Sequence, residues 1–189
     1  MKKMLFPVLL IFLSMAMNLN AQESTKEITI TPGAKISWNL SLGYPFNITV
    51  NSVKPDFSFK WDMGGDETGS VTLTAKALKK ATKMFDYFKK GTDITKEDET
   101  TVIFSKALFK KLKAGKSTEM SLDGINQNIR FVQNSTMKVL IDGTESSLPI
   151  IYAETDKACK FWIWDNASLP LILKMEMGWT LEITSINSK

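Results

Sequence analysis

The feature that most constrains the fold is an alternation of apolar and polar residues that recurs along the chain. In the first half, apolar residues occupy every second position of Ile36 to Leu42, Phe46 to Val50 and Phe57 to Met63. Because successive side chains of a β-strand point to opposite faces, this pattern predicts strands with one buried and one solvated face. Lys54-Pro55-Asp56 supplies a turn between the last two runs.

Six further candidate strands fill the C-terminal part of the chain. They are Ile129 to Val132, Met137 to Ile141, Leu148 to Ala153, Lys160 to Trp164, Leu171 to Met177 and Thr180 to Ile186. We place a break between the first two at Asn134-Ser135, and a hairpin turn at Asp142-Gly143, because Asp-Gly between strands is a strong hairpin signal. Short strands at this spacing are typical of an antiparallel sheet or an open barrel.

Two segments in the middle of the chain have the period of a helix. Apolar residues on one face predict a helix over residues 76–90, although Lys83 to Lys89 also fits a strand. A second helix is predicted over residues 105–114, with Ser105 as the N-cap and Gly115 as the terminator. The predicted fold class is therefore α+β, mainly β: a curved antiparallel sheet or open half-barrel with about two helices packed on it.

The N-terminus has the three parts of a secretory signal peptide. Lys2 and Lys3 give a positive start, Met4 to Met17 is an uncharged apolar stretch, and Ala21 is a small residue at a cleavage position. We therefore expect Met1 to Ala21 to be removed on export. Residues 22–189 are then predicted to form a single β-rich domain, periplasmic or extracellular and from a bacterium.

The chain has no histidine and a single cysteine, Cys159. Without imidazole, the Ser-His and Cys-His nucleophiles and the histidine-dependent zinc sites are excluded, and we predict neither a metal nor a cofactor. A lone cysteine forms no intramolecular disulfide, so the fold depends on its core. Cys159 is expected to be a small buried apolar residue.

One short motif could still support catalysis. Ser135 and Lys138 match S-x-x-K, a pattern of exported acyl-transfer enzymes that requires both side chains on one helical face. Here the surrounding pattern is that of a strand, where a step of three residues places them on opposite faces. An exported hydrolase that uses this Ser-Lys pair or converging carboxylates is the alternative hypothesis.

Charge is distributed unevenly along the chain. Residues 76–116 contain twelve lysines and five acidic residues. A basic lobe of this kind could bind an anionic surface or an envelope protein, which makes a surface adhesion or scaffold protein the third hypothesis. Arg130 is the only arginine, and this argues against nucleic-acid binding.

Trp162 and Trp164 are the candidate ligand-binding residues. They share one face of the strand Lys160 to Trp164, while Phe161 and Ile163 occupy the other face. A strand that is apolar on both faces belongs in the centre of a sheet. Core packing explains both tryptophans, and an aromatic wall for an apolar ligand is the functional alternative.

The stretch from Lys160 to Leu173, KFWIWDNASLPLIL, resembles a hairpin of exported bacterial proteins of the LolA-like type. In those proteins an aromatic strand, an Asp/Asn turn and a Leu-Pro step lead into the next strand. The resemblance covers residues 158–186 and carries over no functional side chain. It implies a curved antiparallel half-barrel with helices against its concave side, which holds a lipid or another envelope ligand or has an unknown role.

Together these patterns lead to one functional expectation. The protein is expected to be exported and non-catalytic, and to bind a lipid or other apolar or amphiphilic small molecule, or to act as a cell-envelope interaction module. No second apolar stretch approaches the length of a membrane span, so the mature chain is expected not to cross a membrane.

Overall fold

The computed structural model describes residues 28–188, so the predicted signal peptide lies outside the described residues. This part of the chain contains thirteen strands and two helices. The strands are β1 Lys35–Leu40, β2 Pro45–Ser52, β3 Phe57–Asp62, β4 Thr68–Leu73, β5 Lys83–Met84, β6 Asp93–Lys96, β7 Glu99–Thr100, β8 Thr118–Leu122, β9 Ile125–Ile141, β10 Thr144–Thr155, β11 Lys160–Trp164, β12 Ile172–Glu176 and β13 Thr180–Asn187. The helices are α1 Ala75–Lys80 and α2 Lys106–Lys113.

The strands form one curved sheet in the order β6-β4-β3-β2-β1-β13-β12-β11-β10-β9-β8-β5-β7. Most neighbours are antiparallel, and the pairs of β4 with β6, β5 with β7 and β5 with β8 are parallel. The predicted fold class, α+β and mainly β with two helices, is confirmed.

The last five strands also close into a ring. From β9 to β13 each strand is antiparallel to the next, and β13 then pairs with β9. Because an odd number of alternating strands leaves the first and last pointing the same way, this closing pair is parallel. Ser185 lies opposite Leu140, and Ile186 lies opposite Ile141. The first part of β9 is paired with β8 and not with β13. This long strand therefore connects the ring to β8, β5 and β7.

The second predicted helix is confirmed as α2. Ser105 is its N-cap: the hydroxyl accepts a hydrogen bond from the Leu108 N–H at 3.2 Å and donates one to the Ala81 carbonyl oxygen at 2.6 Å. Gly115 ends the helix with a positive φ of 70°. One hydroxyl therefore caps α2 and ties it to the end of α1.

The first predicted helix, residues 76–90, is wrong beyond its first five residues. α1 stops at Lys80. The strand alternative for Lys83 to Lys89 holds only for Lys83–Met84, which forms β5 between β7 and β8. Residues 85–90 form neither helix nor strand. The apolar side chains of this segment pack on distant strands, since the Phe88 ring lies 4.9 Å from Phe46 and 5.4 Å from Trp61.

The predicted break at Asn134-Ser135 is also wrong. β9 runs without interruption, and these two residues pair with Ile151 and Ile150 of β10. The hairpin predicted at Asp142-Gly143 is correct, with positive φ values of 49° and 78° that match a two-residue turn. The polar pair at 134–135 therefore stays in the strand because a full partner strand is available.

The core lies on the inner face of the sheet. Its largest fully buried side chains include Trp38, Trp61, Phe46, Phe57 and Phe59, all from the first three strands. Cys159 is buried, as predicted. Neither helix of residues 28–188 is long and apolar enough to cross a membrane.

Candidate ligand-binding site

A cavity of about 40 Å³ lies among residues of β1, β2, β5, β8, β12 and β13 and of the segments that follow β3 and β5. Twelve of its fourteen lining residues are apolar, and Thr101 and Asp86 are the polar ones. The apolar set is Leu40, Phe46, Met63, Met84, Phe85, Phe88, Val102, Leu122, Ile172, Met175, Trp179 and Leu181. This volume has room for about three water-sized groups.

The position of the cavity follows from the sheet. Leu40 ends β1, Leu122 ends β8, Met63 follows β3 directly, and Trp179 immediately precedes β13. The lining therefore comes from turns and strand ends that meet at one end of the sheet. Methionine is unbranched and flexible, so Met63, together with the two other methionines of the lining, allows the cavity to change shape.

A strained segment forms part of the cavity wall. Val102 has a φ of 51°, a value that is rare for a β-branched residue. The N–H of Ile103 donates to the Thr101 carbonyl oxygen across it, which makes a tight three-residue turn. The Ile172 N–H donates to the Val102 carbonyl oxygen at 2.8 Å and anchors the turn on β12. Such strain is typical of functional sites.

The charged group of the lining, Asp86, lies beside a second carboxyl. β5 is parallel to β8, with Met84 opposite Leu122. This register places the β8–β9 turn, which contains Asp123, next to residue 86. The Asp123 N–H donates to the Met84 carbonyl oxygen at 2.9 Å, and the Asp86 N–H donates to Asp123 Oδ1 at 3.0 Å. The two aspartates are thus held side by side by the backbone.

Burial, together with the hydrogen bond and charge of the Asp123 carboxyl, raises the pKa of Asp86 from its ordinary value of 3.8 to about 7. The Asp86 side chain is therefore a mixture of acid and carboxylate at neutral pH. It can donate a hydrogen bond in one form and attract a cation in the other. Sequence patterns did not single out Asp86, because it lies inside the segment predicted as a helix.

The raised pKa of Asp86 predicts a pH-dependent stability. The folded chain holds this proton more tightly than the unfolded chain, so stability is highest below about pH 4, falls as the pH rises to about 7, and is then level. In Asp86→Asn this loss is absent. Because the carboxyl is half-exposed and screened by solvent, the variant is expected to gain only about 1 kcal/mol relative to the wild type between pH 4 and pH 8.

Urea unfolding of both proteins across this pH range measures the gain. Glu119→Gln is the control for loss of one negative charge, since Glu119 is exposed on β8. Parallel pH profiles for Asp86→Asn and the wild type would contradict the prediction.

Neither predicted ligand-binding tryptophan lines this cavity. Trp162 is half-buried: its ring stacks on Tyr152 at 4.8 Å between centroids, and Lys174 Nζ lies 5.1 Å from its centroid. Trp164 is buried in the core. A shift in the register between β11 and β12, after Trp162, accompanies this difference in burial. A ligand at Trp162 and Trp164 stays a prediction, whereas Trp179, which was not predicted, lines the cavity.

The other candidate groups are placed apart from the cavity. Ser135 and Lys138 lie three residues apart on β9, and Lys138 Nζ donates to Glu145 Oε1 at 2.6 Å. The strand places their side chains on opposite faces, which disfavours the Ser-Lys pair.

The lysine-rich stretch is partly neutralised by acidic residues. Five of its twelve lysines form ion pairs with carboxylates. These pairs are Lys76–Glu97, Lys83–Asp98, Lys90–Asp66, Lys96–Glu99 and Lys113–Asp165. The charge available for an anionic partner is therefore smaller than the sequence count indicates.

Within residues 28–188, no group of three or more acidic, cysteine or histidine side chains is arranged to hold a metal ion. No family model, curated protein or solved structure matches the chain.

Proposed function

We propose that the protein is an exported, non-catalytic binding protein that takes an apolar or amphiphilic small molecule into the cavity at the end of the sheet. The observation that carries this proposal is the apolar lining, in which Asp86 is the one charged residue. Binding sites for small molecules are typically concave and apolar with few polar groups. The resemblance to LolA-like exported proteins supports the same class of ligand.

The surroundings of the cavity support access from outside. Leu42 and Tyr44, in the turn between β1 and β2, are 63% and 60% exposed, and Tyr87 is 54% exposed between two lining residues. Large exposed apolar side chains that flank an apolar cavity favour entry of an apolar molecule.

Blocking the opening is expected to weaken binding. Met63 is half-buried, so the Met63→Trp variant can fill the opening without a change deep in the core. Isothermal titration with n-octanol is expected to show binding to the wild type that is weakened about tenfold or more in the variant, a loss of about 1.4 kcal/mol. Val132→Trp is the matched control, because Val132 is exposed on β9 and does not line the cavity.

Equal binding of n-octanol to Met63→Trp and Val132→Trp would contradict the cavity as the binding site. No binding of n-octanol, n-octylamine or n-octanoate to the wild type would contradict the proposed function.

The alternative function, a hydrolase that uses carboxylates, is favoured by the Asp86–Asp123 pair. A carboxyl that titrates near neutral pH beside a second carboxyl suits general acid–base catalysis. Hydrolysis of a panel of ester and glycoside substrates that is lost in both Asp86→Asn and Asp123→Asn would establish it. Wild-type protein without turnover on this panel would count against it.

A further inference from the structure

We propose that the preferred ligand is a cationic amphiphile, with an ammonium head at the Asp86 and Asp123 carboxyls and a short alkyl chain in the apolar cavity. This inference rests on the proposed function and adds the charge of the ligand. It combines two independent features of the site, an apolar cavity and a carboxyl pair beside it.

The first step is the apolar cavity. Alkyl chains are favoured by a wall of aliphatic, aromatic and methionine side chains, because each buried methylene contributes about 0.8 kcal/mol. The volume of about 40 Å³ holds only the first few carbons of a chain. A longer chain requires movement of flexible residues such as Met63 and Met175.

The second step is the unneutralised charge. Among the ion pairs of residues 28–188, none involves Asp86 or Asp123. Asp123 Oδ1 accepts a hydrogen bond from the Asp86 N–H, and the Asp123 residue is exposed, so a ligand can reach it from the solvent side. An ammonium group offers three donors and a positive charge, which complements two carboxyls held side by side.

The third step is the surrounding charge. Lys96 contacts the cavity lining, since its Nζ lies 4.9 Å from the centroid of the Phe85 ring. That lysine is paired with Glu99 and also contacts the Tyr87 hydroxyl at 3.3 Å. Its charge is therefore balanced, and the carboxyl pair determines the sign of the potential at Asp86. A carboxylate head is expected to be repelled there.

The experiment compares three ligands that share an eight-carbon chain: n-octylamine, n-octanol and n-octanoate. Isothermal titration at pH 8, above the pKa of Asp86, is carried out on the chain from residue 22 onward. The wild type is expected to bind n-octylamine about tenfold more tightly than n-octanol, the scale of one charge-assisted contact, and n-octanoate most weakly. In Asp86→Asn the affinity for n-octylamine is expected to fall to that for n-octanol, so that the preference for the amine over the alcohol disappears.

Controls separate failure of this inference from failure of the proposed function. Glu119→Gln removes an exposed acid away from the cavity and is expected to retain the amine preference. Asp123→Asn is the second variant if Asp86→Asn does not fold, and it is expected to reduce the preference as well. Tighter binding of n-octanol or n-octanoate than of n-octylamine would overturn the cationic ligand and leave the cavity as the site. No binding of any of the three would overturn both proposals.

Discussion

Replacement of Trp38 by alanine is expected to lower the free energy of unfolding by about 4 kcal/mol, the largest effect that we predict. The Trp38 side chain is fully buried, and its ring lies 5.6 Å from Phe46. The indole Nε1–H donates to the Ile172 carbonyl oxygen at 3.0 Å, so this residue of β1 is tied to β12 across β13. The variant loses packing and a buried hydrogen bond together, and thermal unfolding should show a decrease in Tm of roughly 8–16 °C.

Trp162→Ala is the matched control for Trp38→Ala. It removes the same atoms from a half-buried position on the same sheet, where the ring contacts Tyr152 and Lys174. A smaller loss of about 2 kcal/mol is expected, because the Trp162 ring is only partly buried against the core and otherwise makes a ring stack and a cation–π contact. Equal losses in the two variants would contradict the difference in burial between Trp38 and Trp162.

Gly69→Ala is expected to cost about 3 kcal/mol, because there is no space for a methyl group at this position. A Cβ there would lie 2.7 Å from the Thr92 carbonyl oxygen and 2.8 Å from the Trp61 ring. The Thr92 oxygen is part of the backbone and accepts a hydrogen bond from the Ser70 N–H at 2.9 Å. It therefore cannot shift to make room for a methyl group without loss of that hydrogen bond. Trp61 is itself fully buried. Chemical denaturation should therefore show a strongly lowered unfolding midpoint.

The control for Gly69→Ala is Thr68→Ala, an exposed residue next to it on β4. This variant is expected to change stability by less than about 0.5 kcal/mol, as is usual for surface substitutions. A Gly69→Ala protein as stable as Thr68→Ala would show that β4 and the Trp61 ring can separate without cost.

Local patterns were sufficient for the elements whose signals are contained in a few residues. Alternation predicted the strands around Ile36 and Phe57, because burial on one face of a strand requires a period of two. Ser105 and Gly115 predicted both ends of α2, because capping depends on residues adjacent in sequence. Asp142-Gly143 predicted its turn for the same reason, since both backbone angles are positive there.

Where local patterns failed, a partner distant in sequence decided the outcome. The spacing of Met84, Phe85 and Phe88 fits a helix face, yet contacts with β7, β8 and the Phe46 ring favour a short strand and an irregular segment. Asn134-Ser135 looks like a turn in isolation, but β10 supplies a partner along its full length. Pairing with a neighbouring strand outweighs weak local preference.

The sequence by itself determined the class of the protein: a mainly β chain with a leader-like N-terminus, no imidazole and a strand rich in tryptophan. Only the tertiary structure decided where the cavity lies, because it is assembled from the ends of strands separated by more than a hundred residues. It also decided that Asp86 lies beside Asp123, through the parallel pairing of β5 with β8. No pattern in the sequence predicts that these two short segments pair. Neighbours in the chain specify strands, caps and turns, whereas a cavity and a shared charge exist only once distant segments have packed together.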